Sequence, residues 1–247
     1  MRAANQQMAD LAPNNWSVQQ KLALTCRILA DEGHGAGLAG QVTCRADSSH
    51  IWTQPYGLGL EEIKASDYLL VTERLEVVKG NKFPNPANNF HIHVYARRPD
   101  INCIIHTHPP YTAALSMIGE ELAVAHMDVM CFYDVVNFLS EWPGVPFGEE
   151  EGEIIAGALK DKNALLLAHH GLLVTGQAIE EATYRAIFFE RAARIQLLAM
   201  ATGKAIKKIS QEKGQEARDW RVRQGPINAH FNYFVRRSLR NHPECVF

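Results

Sequence analysis

Short apolar runs alternate along the chain with longer stretches in which apolar residues recur every three or four positions. The runs predict β-strands and the periodic stretches predict helices, because side chains change face every residue in a strand and return every 3.6 residues in a helix. The glycine-rich turn that begins at Gly35 leads into a predicted strand by Arg45, and further predicted strands lie near 50–53, 68–72, 76–81, 101–108, 165–168 and 172–176. Predicted helices lie near 17–32, 87–98, 112–117, 149–159, 179–201 and 229–240. This alternation predicts an α/β fold with a central sheet.

The domain organisation follows from the same pattern. Ser17 and Gln20 form a capping-box pattern that begins the first helix, and glycines end it near residue 33. We therefore expect residues 1–16 to be a flexible arm and residues 17–247 to be a single domain with a C-terminal helical extension. The chain has 247 residues and 47% apolar content, enough for one sizeable core,.

The composition narrows the class of partner. Lysine and arginine number 25 against 27 acidic residues, so nucleic acid is not the expected partner,. No stretch reaches the apolar length of a membrane span and the N-terminus lacks a hydrophobic signal core, so we expect a cytoplasmic protein without a membrane partner. The five cysteines are scattered and lack Cys-x-x-Cys spacing, which argues against a disulfide framework,.

Two apolar runs deliver histidines, and these are the strongest chemical signal in the chain. The run from Ile101 to His108 ends in His106-Thr107-His108, whose two imidazoles project from the same side if the run is a strand,. A second run, from residue 165, ends in His169-His170-Gly171. Two imidazoles from the first run and one from the second would make a three-histidine metal site with an open coordination position.

Other local patterns predict less. His91 and His93 are two residues apart on a predicted helix, so they face different directions and do not both serve as ligands,. The glycine-rich stretch from Gly33 to Gly40 does not fit the dinucleotide-binding spacing, and no Gly-Lys-Ser/Thr loop is present,. A nucleotide-dependent enzyme is therefore the least supported alternative.

Four sequence blocks together resemble a known family. The blocks are Asn85-Pro86-Ala87-Asn88-Asn89-Phe90-His91-Ile92-His93, Arg97-Arg98-Pro99-Asp100, Ile105-His106-Thr107-His108-Pro109-Pro110-Tyr111 and Leu167-Ala168-His169-His170-Gly171-Leu172-Leu173. Their order and spacing are similar to those of the class II aldolase/adducin family, over about Ser17 to Gly203.

The resemblance implies a three-layer α/β/α sandwich with a mostly antiparallel central sheet. It also implies one divalent metal ion per chain, zinc first and manganese as the alternative, held by His106, His108 and His170. We exclude His169 because adjacent strand residues face opposite ways. Members of the family are commonly homotetramers with active sites between subunits, and they cleave sugar phosphates, epimerise, dehydrate or decarboxylate.

The chain departs from the sugar-phosphate aldolases of the family at two places. Asn85-Pro86-Ala87 stands where they have Ser-Ser-Glu, so Ala87 replaces the acid/base glutamate. The Thr-Pro-Thr-Gly phosphate loop is also absent, with Thr53-Gln54-Pro55-Tyr56-Gly57 in its neighbourhood. The sequence therefore resembles the adducin-like branch and favours a small, non-phosphorylated substrate.

We expect a metal-dependent carbon–carbon lyase that acts next to a carbonyl, by aldol cleavage or decarboxylation of a hydroxy-keto or hydroxy-carboxylate compound. The candidate substrate contacts are Gln41 and Asn85. The candidate proton-transfer residues are His126, Tyr133 and Glu149, with a metal-bound hydroxide as a further option. Two alternatives stay open: a non-catalytic adducin-like assembly protein, and a metal-dependent epimerase.

Overall fold

An eight-stranded sheet lies at the centre of the computed structural model, which describes residues 15–145 and 148–247. The strands are β1 Gln41–Arg45, β2 His50–Thr53, β3 Leu69–Thr72, β4 Val77–Lys79, β5 Cys103–Thr107, β6 Val136–Leu139, β7 Ala164–Leu167 and β8 Gly171–Gly176. Their order across the sheet is β4-β3-β2-β1-β5-β8-β7-β6. Every neighbouring pair is antiparallel except β6 and β7.

Helices cover both faces of this sheet. They are α1 Val18–Asp31, α2 Asn89–Arg97, α3 Pro110–Met117, α4 Glu149–Leu159, α5 Ile179–Met200, α6 Gln211–Arg221 and α7 Gln224–Asn241. Helices α1, α3, α5 and α7 share one hydrophobic core with the sheet, and α2 and α4 share a second core on the other face. The predicted three-layer α/β/α fold with a mostly antiparallel sheet is confirmed.

The alternation of side chains along β5 determines which of its residues lie on each face of the sheet. Cys103 and Ile105 enter the core beneath α1 and α5, whereas Ile104 enters the core beneath α2 and α4. Two residues after Ile104, His106 therefore lies on the α2 side, and Thr107 lies on the α1 side. The central strand thus ends with a histidine facing one layer and a threonine facing the other.

The predicted start of the first helix is confirmed, since Ser17 accepts a hydrogen bond from the Gln20 backbone N–H and the Gln20 side chain accepts one from the Ser17 N–H. Residues 1–14 of the predicted arm lie outside the described residues. The single-domain assignment for residues 17–247 stays a prediction. In the described part of the chain, no helix is both long and apolar enough to cross a bilayer.

Two elements are missing from the predicted pattern. Residues 127–142 show no strand or helix pattern in the sequence, but they contain β6, whose four residues are too few to show a period and which is held by parallel pairing with β7. Helix α6 has too few apolar residues for a helical stripe, and it packs on the 3₁₀ turn Met127–Phe132. In both places contacts between distant parts of the chain determine the structure.

Candidate metal centre

The first two candidate ligands come from the end of β5. His106 is the penultimate residue of this strand and is almost fully buried, and His108 follows one residue after the strand, partly exposed. Pro109 then occupies the N-cap position of α3, and Pro110 is the first residue of this helix. Because Thr107 between the two histidines points into the opposite layer, both imidazoles are left on the same side of the sheet.

The third candidate ligand comes from a hairpin turn. Leu167 pairs with Gly171, and the turn between them holds His169 and His170, with the His170 N–H donating to the Leu167 carbonyl at 3.1 Å. We expected His169 and His170 to face opposite ways because they were read as strand residues, and that reason is wrong. His169 is exposed in the left-handed region, with φ +55°, and this turn separates it from His170.

The three side chains converge. One ring nitrogen from each of His106, His108 and His170 lies within 4.8 Å of the other two. The Nε2 atoms of His106 and His108 are 2.9 Å apart, and the three ring centroids are 4.6–4.8 Å from one another. This is the only such cluster of histidine, cysteine and carboxylate groups within residues 15–145 and 148–247.

Contacts behind the triad hold the first imidazole in place. The Nδ1 atom of His106 lies 2.9 Å from the Leu172 carbonyl, which can only accept, so Nδ1 carries the proton and Nε2 keeps a free electron pair,. A histidine that binds a metal is usually oriented by such a hydrogen bond through its other nitrogen. The ring of Phe90 meets the His106 ring edge-on, with the centroids 5.0 Å apart.

Gly171 provides the space for His108. A Cβ atom on Gly171 would lie 2.5 Å from the Thr107 carbonyl oxygen and 2.8 Å from Cδ2 of His108. No side chain other than hydrogen fits this position without moving the backbone of β5 or the His108 ring. The glycine that follows His170 therefore has a steric role in bringing the two histidine segments together.

The surroundings keep the three imidazoles neutral. Burial lowers the pKa of His106 well below its usual value, and the neighbouring His170 and His108 add to this effect. Burial, followed by the nearby His108, lowers the pKa of His170 to about 4, and burial lowers the pKa of His108. Neutral imidazoles are the form that binds metal ions, so this donor set suits zinc and other divalent transition metals.

The two predicted substrate contacts are both buried polar side chains, and one of them is beside the triad. Gln41 is the cross-strand partner of His106, and its Oε1 atom is buried without a hydrogen-bond partner among the described residues. Asn85 is also buried and accepts a hydrogen bond from the Ala87 N–H at 3.0 Å. Gln41 thus lies beside His106 at the end of β5, and the roles of Gln41 and Asn85 as substrate contacts stay predictions.

Asn88 was missed by sequence reasoning. Its Nδ2 atom donates to Thr53 Oγ1 at 2.8 Å, and its buried Oδ1 has no partner in the described part of the chain. Thr53 is paired with Thr43, two residues along β1 from Gln41. The sequence feature that could have indicated Asn88 is the Asn-Pro-Ala-Asn motif of residues 85–88, which forms a 3₁₀ turn.

The three candidate proton-transfer residues contact other groups. His126 is half exposed and accepts a hydrogen bond from the Asp128 N–H at its Nδ1 atom. Tyr133 packs beside Gly214 of α6, and the Glu149 carboxylate lies 3.2 Å from Nε2 of His93. Within the described residues, no hydrogen bond or ring contact connects any of the three with the triad.

Comparison with known proteins defines the class. The family described as the class II aldolase and adducin N-terminal domain matches residues 20–197. The chain therefore belongs to this family, as its sequence blocks indicated. Among its relatives is an L-fuculose phosphate aldolase of Haemophilus influenzae, which is 30% identical over 212 residues, covering 82% of this chain and 92% of that protein.

A second relative has a different name and a similar degree of identity. The decarboxylase NovR of Streptomyces niveus is 30% identical over 173 residues, or 68% of this chain and 64% of that protein. The solved structure of an L-fuculose 1-phosphate aldolase from Glaciozyma antarctica PI12 superposes with a TM-score of 0.86 at 26% identity, covering 98% of this chain and 99% of the other. The family therefore includes both aldolases and decarboxylases.

Proposed function

We propose that this protein is a divalent-metal-dependent lyase that cleaves a carbon–carbon bond next to a carbonyl group of a non-phosphorylated hydroxy-keto or hydroxy-carboxylate substrate. The observation that carries the proposal is the convergence of His106, His108 and His170, each held neutral, on one point. Membership of a family that contains aldolases and a decarboxylase supports the reaction class.

The three histidines would hold the metal, with zinc proposed first and manganese as the alternative, since imidazole nitrogens bind both. A bound divalent ion would supply a Lewis acid that stabilises the negative charge developing on the substrate oxygens as the bond breaks. The His106 imidazole enters this role already oriented by the Leu172 carbonyl. Partial exposure of His108 and His170 leaves one side of the triad open to a substrate.

Gln41 and Asn85 are proposed to bind the polar end of the substrate. Gln41 is suited to this because its buried Oε1 lacks a partner among the described residues and its strand position is opposite His106. A carbonyl-type oxygen of this kind would accept a hydrogen bond from a substrate hydroxyl group. Asn85 would contribute its Nδ2 atom, because its Oδ1 is engaged by the Ala87 N–H.

The side chains of residues 53 and 54 offer little to a phosphate group. The Gln54 side chain spans the loop, accepting from the Val42 N–H at 2.9 Å and donating to the Gly40 carbonyl at 3.0 Å. The Thr53 hydroxyl donates to the Gln54 carbonyl and accepts from Asn88. With these donors already used, a non-phosphorylated substrate is the better match to this loop.

The proton-transfer group is a separate proposal. Ala87 cannot transfer a proton. Of the three candidates, His126 is the only imidazole, and its side chain is half exposed on the surface. We propose that His126 acts on the metal centre of a neighbouring chain in a homo-oligomer, most simply a tetramer, because imidazole is the side chain that most often transfers protons in enzymes. Tyr133 and Glu149 are proposed after it.

A complementation experiment tests that arrangement. His126→Ala and His106→Ala chains would each be inactive alone, and mixing them under conditions that exchange subunits would restore about a quarter to a half of the activity, because some sites would combine two intact halves. Failure of the mixture to regain activity, when both variants bind to each other, would contradict transfer between chains.

The test of the reaction class is a substrate screen with metal-loaded protein. Hydroxy-keto acids and hydroxylated carboxylates would be supplied with zinc or manganese, while carbon dioxide and aldehyde release are followed separately. Decarboxylation needs no base to break the bond, so the alanine at position 87 favours carbon dioxide as the product. Turnover of neither kind across the series, with metal bound, would contradict the lyase proposal.

A cytoplasmic location is proposed together with this function. The competing proposal from the sequence, an adducin-like assembly protein, predicts no need for metal. Metal content therefore separates the two: about one ion per chain in the wild type, lost in His108→Ala, supports the enzyme, and no bound metal in either supports the assembly protein.

A further inference from the structure

Two large aromatic side chains are exposed on the segments that follow Thr53 and precede Asn85. Phe83 is 84% exposed and Tyr56 is 56% exposed, in contrast with the buried positions of most aromatic residues in the sheet layers. The two segments are joined, because the Tyr56 N–H donates to the Phe83 carbonyl at 2.7 Å and Pro55 pairs with Pro84. Prolines on both segments and this pairing hold the two aromatic residues side by side.

The loop that carries Tyr56 is connected to the metal centre through the start of β1. The Gln54 side chain donates to the Gly40 carbonyl at 3.0 Å, and a Cβ atom on Gly40 would lie 3.1 Å from the His106 carbonyl oxygen. Gln41, the next residue, is opposite His106. Phe83 is joined to this loop by the hydrogen bond from Tyr56 and lies two residues before Asn85.

The neighbouring polar groups face inwards and are already bonded. The side chain of Gln54 and the hydroxyl of Thr53 form hydrogen bonds only within the loop and its supporting strands. The exposed aromatic side chains of these two joined segments are therefore the rings of Tyr56 and Phe83. A substrate whose polar end is bound at the metal would extend past them for the rest of its length.

We infer that Tyr56 and Phe83 form an apolar rim that selects substrates carrying an aromatic or similarly bulky apolar group on the hydroxy-carboxylate head. The inference rests on the proposed function, because the head must bind at the triad for the remainder to reach the rim. Aromatic rings provide large contact areas for such a group, and a few fixed polar groups orient the other end, as in most small-molecule sites.

The experiment compares two probes that share one head. Zinc-loaded protein would be titrated calorimetrically with lactate and with 3-phenyllactate, which differ only in the added phenyl ring. We expect the wild type to bind 3-phenyllactate about tenfold more tightly than lactate, as is usual for one buried ring edge. In Tyr56→Ala/Phe83→Ala this ratio would fall to within about twofold, with lactate affinity unchanged.

Controls separate the rim from the fold. Both side chains are exposed, so the double variant should keep the wild-type melting temperature. Tyr233→Ala removes a half-exposed aromatic ring from α7, in the other layer, and should leave the preference for 3-phenyllactate unchanged. A variant that lost zinc would be excluded by its metal content before titration.

The outcomes distinguish the two proposals. Binding of lactate without any preference for 3-phenyllactate, or a preference that survives the double substitution, would overturn the rim and leave the metal-centred function standing. Failure of the zinc-loaded wild type to bind either probe would overturn the proposed head group and the rim with it. A change in oligomer mass without a change in preference would show instead that the rim is an interface between copies, which also overturns the inference.

Discussion

Two groups of histidines lie close together in this protein and have opposite surroundings. His106, His108 and His170 face one another, with one ring nitrogen of each within 4.8 Å of the other two. His34 and His91 are each alone, and each has a threonine hydroxyl 2.8 Å from its Nδ1 atom. His106 is as fully buried as His34 and His91, so burial alone does not distinguish a candidate ligand from a histidine of the core.

The arrangement of electron pairs distinguishes them. In the triad, one ring nitrogen from each of the three histidines approaches a common point that a cation could occupy. His34 and His91 differ, because their Nδ1 atoms contact Thr107 and Thr43. Their Nε2 atoms are buried without a partner among the described residues, and neither histidine belongs to a cluster of possible metal ligands there. The comparison teaches that convergence, rather than the presence of histidine at a strand end, is the property that indicates metal chemistry.

The largest expected effect comes from removing one converging side chain. His108→Ala should abolish stoichiometric zinc and lower activity by at least about a hundredfold, because two imidazoles are too few for a catalytic zinc site. Elemental analysis and turnover measure the two effects. His169→Asn is the matched control, since asparagine tolerates the left-handed φ of +55° at this exposed position,. Equal metal content in His108→Ala and wild type would refute the triad.

A smaller effect is expected from disturbing the triad without removing a ligand. Gly171→Ala would place a methyl group against the Thr107 carbonyl and the His108 ring. We expect zinc affinity to fall by about ten- to a hundredfold, the usual range for residues that orient metal ligands. Competition with a chromophoric chelator measures it.

The control for Gly171 is Gly35→Ala. At Gly35 an added Cβ would meet nothing closer than 3.9 Å. Unchanged zinc affinity in both variants would mean that the β5 end and the hairpin turn adjust freely, and that the close approach of these two segments is not needed for the site.

Most of the sheet and the identity of the triad could be predicted from the sequence, whereas other features could not. The apolar run ending at His106 has a clear pattern, because a central strand is buried on both faces. The hairpin turn at His169 could not be read from its neighbours, since its φ depends on the pairing of Leu167 with Gly171. The unpartnered oxygen of Asn88 likewise depends on a contact with Thr53, 35 residues away in sequence.

His34 and His91, the two buried histidines outside the triad, should make the free energy of unfolding depend on pH. Burial lowers the pKa of both His34 and His91 from 6.5 to about 3, so the unfolded chain binds protons that the folded chain does not as the pH falls below 6.5. Stability is therefore full above this pH and is lost towards acid. Each of these two histidines should lower the free energy of unfolding by about 2 kcal/mol between pH 6.5 and pH 5.

Urea unfolding at pH 7 and pH 5, with a chelator present, measures this loss. His91→Gln should be less stable than wild type at pH 7, but its loss on acidification should be smaller by about 2 kcal/mol. His50→Gln, at a partly exposed histidine beside Asp47, serves as the control. An acid-induced loss that is the same in wild type and His91→Gln would show that His91 takes up its proton in the folded state.

The smallest effect on stability is expected beside His93, a histidine that belongs neither to the triad nor to the buried pair His34 and His91. His93 lies on the same helix as His91, but it contacts two carboxylates of α4, Glu149 at 3.2 Å and Glu153 at 2.9 Å. The Glu149 side chain is 86% exposed, so water screens this pair and Glu149→Gln should shift the melting temperature by less than about 1 °C,. Zinc content should not change. Activity measured on the same samples then decides the role of Glu149: a loss of more than about tenfold with metal retained would identify it as the proton-transfer group, ahead of His126.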